Sequence, residues 1–165
     1  MTSPAQLAAA ELNALMDDVI ALFNGTRDSR TLVIDPAAMT ASGTNWAEDP
    51  DSELTHVKAA AIAAEATCSL PANPGDRILG VTVRLKQVGA TLNMTAKLYS
   101  TAAGVRTERA SVTASATTLE FQTLALTFSV GTSYTVPADT AMTLVVTAGQ
   151  VGDLFGGATA PVDHP

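Results

Sequence analysis

The chain has 165 residues, of which 47% are hydrophobic, 15% charged and 4% aromatic, and nine basic against sixteen acidic residues give a net charge of −7. This composition excludes disorder and predicts one ordinary domain with an appendage, its core built from Val, Leu, Ile, Ala and Met. The acidic balance repels phosphate backbones, so nucleic acid is not an expected partner, and the single cysteine, Cys68, excludes an internal disulfide and a multi-cysteine zinc site.

The opening "MTSPAQL" lacks the basic and apolar regions of a signal peptide, and no apolar run approaches membrane-spanning length. Synthesis in the cytoplasm and no membrane insertion are the expectations. Residues 1–25 read as one amphipathic helix. Ser3, Pro4 and Gln6 form a capping box with proline at the first helical position, and Asn24-Gly25 is the stop. Leu12, Leu15, Val19 and Leu22 fall on an a/d seam, and Met16, Ile20 and Phe23 widen the stripe. Two readings stay open. The stripe packs on the chain's own β-domain, or it self-associates or docks into a larger assembly. Its terminal position and the polar hinge "NGTRDSR" favour assembly, and a broad stripe fits a trimer better than a dimer.

Residues 26–53 read as a loop-rich arm that wraps a neighbouring subunit, with "TLVID" as a strand within it. Within it, Trp46 is either an anchor for the arm or a ligand contact. "EDPDSE" places Asp49, Asp51 and Glu53 at alternate positions, as in a calcium loop, but without the fixed Gly and terminal Glu of an EF-hand. A solvated acidic loop is the plainer reading.

From residue 54 to 165 the pattern turns to β-structure. "HVKAAAIAAEATCSL" suits strand or helix, with strand preferred because Val57, Thr67 and Cys68 flank the alanines. In "RILGVTVRLKQ", Ile78, Val81, Val83 and Leu85 alternate with Thr82, Arg84 and Lys86. "TLNMTAKLYS" repeats this, with Leu92, Met94, Ala96 and Leu98 inward and Tyr99 on the outward register; the short "QVGA" link predicts a hairpin. In "TTLEFQTLALTFSV", the odd offset between Phe121 and Leu124 predicts a bulge or bend. "SYTV", "AMTLVVTA" and "LFGGATAPVD" supply later strands, with Pro161 interrupting the last. Many short strands separated by Gly, Pro and Asn predict a mainly β fold, an antiparallel β-sandwich or jelly roll carrying one N-terminal amphipathic helix.

Catalytic signatures are missing. The sequence has no G-x-S-x-G, P-loop, H-E-x-x-H or dinucleotide fingerprint. Cys68 with His56 is a weak nucleophile–base pair, since lone strand cysteines are usually small core residues. No cofactor is implied. Carbohydrate binding would draw on exposed aromatics, for which Trp46 and Tyr99 are the candidates.

"CSLPANPGDRILGVTVRLKQVGATLNMTAKLYST", with "SYTVPADTAMTLVVTA", "GDLFGGATAPVD" and the helix "AELNALMDDVIALFNGT", resembles tailed-phage virion proteins of the fibre, spike or decoration type. The resemblance implies a non-enzymatic structural subunit displayed on a virion, commonly trimeric, with other virion proteins as partners. The alternative is a receptor- or glycan-binding β-sandwich head that contacts a host-surface glycan. An accessory domain of a surface polysaccharide enzyme stands third.

Overall fold

Period-two alternation puts one apolar row on each strand, and two such sheets close over each other to remove those rows from water. The computed structural model describes residues 29–41, 46–48, 57–89, 92–114 and 120–164. The predicted N-terminal helix, with Leu12, Leu15, Val19, Leu22 and Phe23, falls on residues outside this description, as do His56, Asp49, Asp51 and Glu53.

The strands are β1 (Arg30–Ile34), β2 (Thr40–Ala41), β3 (Trp46–Glu48), β4 (Val57–Ala59), β5 (Glu65–Leu70), β6 (Arg77–Ile78), β7 (Thr82–Lys86), β8 (Thr95–Ala102), β9 (Val105–Thr113), β10 (Gln122–Ala125), β11 (Thr127–Phe128), β12 (Tyr134–Thr135), β13 (Thr140–Thr147) and β14 (Leu154–Asp163). The first sheet runs β10–β7–β14–β4–β3, with β1 also on β14 and the short β6–β12 pair at its end. The second runs β11–β9–β8–β13–β5–β2. Every pairing is antiparallel. The fold is an antiparallel β-sandwich, as the alternation predicts.

Ile78, Val81, Val83, Leu85, Phe155, Ala160 and Val162 face inward from the first sheet, and Met94, Ala96, Leu98, Met142, Leu144 and Val146 meet them from the second. Each fully buried Leu, Val or Phe contributes about 1.5–3 kcal/mol relative to exposure. Cys68 belongs to this core. Its thiol donates to the Ser69 carbonyl at 3.4 Å, and burial pushes its pKa up, the opposite of what a nucleophile needs.

Several sequence readings change. The predicted "QVGA" hairpin does not form: β7 and β8 lie in different sheets, and the chain crosses between them after Gln87. Gln87 organises that crossing. Its buried amide donates to the Gly89 and Leu92 carbonyls at 2.6 and 2.8 Å and accepts from the Met94 N–H at 2.9 Å. Leu92, read as inward, is therefore turned out and 51% exposed. The alanine-rich stretch is strand as preferred, but it divides at residues 60–63 into β4 and β5, one in each sheet. The expected arm also contributes to the sandwich: β1 pairs with β14, β2 with β5 and β3 with β4. Pro161 does not stop β14. Its carbonyl accepts from Leu79 N at 2.9 Å, and its missing N–H is tolerated opposite Thr31 of the flanking β1. Finally, the chain changes sheets at Leu126, between β10 and β11, and the Leu126 N–H donates to the Val81 carbonyl. The bend expected between Phe121 and Leu124 is thus replaced by a change of sheet at Leu126.

Both ends of the described chain converge on buried Asp76. Its carboxylate accepts from Arg30 at 2.9 Å and from the Asn73 N–H at 2.7 Å, and lies 2.8 Å from His164 Nδ1. Burial raises the Asp76 pKa, but the Asn73 N–H, His164 and Arg30 together outweigh it and hold the carboxyl below its ordinary range. A depressed folded pKa gives stability that is fully present above the unfolded value of about 3.9 and lost as pH falls toward the folded pKa. Urea midpoints measured from pH 6 down to pH 3 should therefore fall less steeply for Asp76→Asn than for the native chain. Parallel slopes would remove Asp76 from the acid limb.

Candidate functional site

The outer face of the first sheet carries a depression, and its origin is two glycines in β14. Phe155 pairs with Leu85 and Ala158 with Val83, so Gly156 and Gly157 together oppose the single residue Arg84. This is a β-bulge, and it removes side chains from the sheet surface where Arg84 stands. Gly157 has φ +98°, a conformation that favours glycine, and a Cβ there would come 3.0 Å from the Ile34 carbonyl. A Cβ on Gly156 would meet the Phe121 ring edge at 2.8 Å.

The resulting cavity has a volume of about 310 Å³. Its floor is Gly156–Ala158, and one wall is the end of β1 with the turn Asp35–Pro36. The other wall is Thr82 and Arg84 of β7 with Thr123 of β10. Register places Val33, Thr159 and Thr82 in one row across three strands. Val33 is 73% exposed there. The cavity thus sets three threonines, an arginine and an aspartate in a lining that is mostly apolar. Asp35 Oδ1 accepts from Ala37 N at 2.9 Å, which fixes the carboxylate. Arg84 packs over Phe121, 5.1 Å from the ring centroid, and this stacking buttresses its side chain. Such an arrangement suits a hydroxyl-rich small ligand, with donors and acceptors fixed on rigid strands.

The two aromatic candidates are separated. Trp46 is 7% exposed and part of the core, so its ring is not offered to a ligand. Its indole Nε1 is buried without a hydrogen-bond partner among the described residues. Truncating Trp46 would therefore report on stability, by about 3–5 kcal/mol, before it reported on binding. Tyr99 lies on the outer face of the second sheet, as its register indicated. Arg106 stacks on its ring with 3.8 Å to the centroid, and Lys97 beside it pairs with Glu108 at 2.9 Å. The hydrogen bond that Lys97 donates to Glu108 leads the causes that raise the Lys97 pKa, with the electrostatic pull of Tyr99 and Glu108 next. On that face Lys97 and Glu108 neutralise each other, and Arg106 is held against the Tyr99 ring.

Sequence reasoning missed the cavity. The available signal was the Gly-Gly pair inside "LFGGATAPVD", since glycine within a strand marks a bulge or a close backbone approach. No group of three potential metal-ligating side chains occurs among the described residues.

No protein-family model matches the chain, and no curated protein does. Its fold is similar to solved carbohydrate-binding structures. The C-terminal CBM6 of LamC, a marine laminarinase from Zobellia galactanivorans, aligns with TM-score 0.53 at 13% identity, over 80% of this chain and 99% of that one. The Podospora anserina GH26-CBM35 β-(1,4)-mannanase aligns with TM-score 0.52 at 11% identity, over 82% of this chain and 28% of that one. A CBM35 from Cellvibrio japonicus Abf62 gives TM-score 0.50 at 14% identity, over 79% and 92%. At these identities the likeness establishes a shared β-sandwich.

Proposed function

We propose that this chain is a glycan-binding β-sandwich without catalytic chemistry, and that a short saccharide segment occupies the outer-face cavity of the first sheet. The observation that carries this reading is the cavity itself. A bulge opens it, three threonines, an arginine and an aspartate line it, and it sits in a fold that carbohydrate-binding modules share. Rigid strands hold the polar groups in place, which lowers the entropic cost of ordering them around a ligand.

The test is a screen of the full chain against immobilised glycans, followed by two substitutions. Thr159 is exposed on the cavity rim, so Thr159→Trp fills the site without disturbing the core. It should abolish capture while leaving the melting temperature within about 2 °C, as expected for an outward surface change. Tyr99→Ala, on the opposite sheet, should leave capture intact. The reverse pair of results would move the site to the Tyr99 face and overturn the cavity reading.

The resemblance of Cys68–Thr101 to phage virion proteins supports a setting for this module on a particle, with residues 1–25 as its oligomerising or anchoring helix. Light scattering tests it. A full-length trimer that becomes monomeric when the chain begins at Ser29, which keeps β1 whole, is the expected result; a monomer in both cases removes self-association.

A further inference from the structure

The charges of this acidic chain are unevenly neutralised. Arg30 pairs with Asp76, Arg77 with Asp163 and Lys97 with Glu108, while Arg109 donates to Ser100 Oγ. Arg84 is different. It stacks on Phe121 and lines the cavity, yet among the described residues no carboxylate lies within ion-pair distance of it. Lys86 and Lys58 share its outer face, because both sit opposite Leu154 of β14 in register, and neither has a carboxylate partner among the described residues. Leu154 is nearly buried between them although it faces outward, as expected where lysine stems cover an apolar residue. Three cations thus share one face of a chain whose net charge is −7.

Resting on the glycan reading above, we infer that the ligand is an acidic saccharide, and that Arg84 recognises the carboxylate of a uronic acid. The guanidinium carbon lies 5.1 Å from the Phe121 ring centroid, and its N–H groups have no hydrogen-bond partner among the described residues. Those groups form the planar fork that matches a carboxylate in two parallel hydrogen bonds. Thr82 and Thr123 flank Arg84 and supply partners for ring hydroxyls. Asp35 stands on the far wall with one oxygen committed to Ala37 N, so it accepts from a hydroxyl at the neutral end of the segment. Lys86 and Lys58 extend the positive surface along the sheet, toward the next acidic residue of a longer chain.

The experiment is calorimetric titration of the full chain with oligosaccharides of galacturonic, glucuronic, mannuronic and guluronic acid. Each is paired with its carboxyl-reduced neutral counterpart, and sulfated oligosaccharides form a third arm. At least one uronate should bind at least 10-fold more tightly than its reduced counterpart, and more weakly as salt is raised. Arg84→Gln should bring that ratio close to one with an unchanged melting temperature, and Arg84→Lys should restore part of it. Equal affinity for acidic and reduced forms would overturn the acidic assignment while leaving glycan binding standing. Preference for the sulfated arm, or a ratio that survives Arg84→Gln, would overturn the role of Arg84. Binding to none of the saccharides would overturn this inference and the glycan reading together.

Discussion

Asp153→Ala is expected to lower the unfolding free energy by about 4 kcal/mol, a large share of the 5–15 kcal/mol typical of a domain. The carboxylate is fully buried and accepts three backbone N–H groups: Val88 at 3.0 Å, Gly149 at 2.7 Å and Gln150 at 3.0 Å. Two of those donors belong to the turn that leads into β14, and the third to the crossing between the sheets. Alanine leaves all three without an acceptor, at about 1–3 kcal/mol each, and relaxation keeps the sum below simple addition. Asp153→Asn should cost less, because one amide oxygen still accepts on one side. Urea midpoints at constant m-value measure the difference. A shift worth less than about 1 kcal/mol for the alanine variant would show that water or a neighbouring group takes over the three donors.

Gly157→Ala is expected to damage both the fold and the cavity. At φ +98° an L-residue is strained by about 1–3 kcal/mol, and the new Cβ meets the Ile34 carbonyl at 3.0 Å, where β1 joins β14. Relief comes from pushing β1 away or from straightening the bulge. Either movement reshapes the cavity, since its floor is Gly156–Ala158 and its wall the end of β1. A stability loss of about 2–4 kcal/mol should therefore accompany loss of glycan capture. Gly80→Ala is the control: a Cβ there meets nothing within 4 Å, and its φ is not in the left-handed range. It should change neither stability nor capture. If Gly157→Ala behaved like Gly80→Ala, the bulge would not be what shapes the site.

The amino-acid sequence by itself determined the strands and their inward rows. Ile78, Val83 and Leu85, and likewise Met94, Ala96 and Leu98, are buried in the alternation that the residues display. This is local physics, because successive side chains on a strand point to opposite faces. Absent catalytic motifs and an acidic balance were also legible, since they depend on composition and spacing alone.

Tertiary structure decided which strand lies beside which. β7 and β8 carry matching patterns, yet they entered different sheets because Gln87 and Asp153 satisfy the backbone of the crossing between them. "TLVID" read as a strand inside a loop-rich stretch, but only the tertiary structure places it, as β1, on β14, more than a hundred residues away. Trp46 read in sequence as an anchor of the arm or a ligand contact and Tyr99 as an outward strand residue, and packing buries the first and leaves the second half-exposed. The cavity likewise depends on register. Gly156, Gly157 and Arg84 carry no shared local signal, and they form a site because β14 bulges exactly one residue against β7. Register between distant strands is set by the summed burial of both sheets, a quantity that no single stretch of sequence contains.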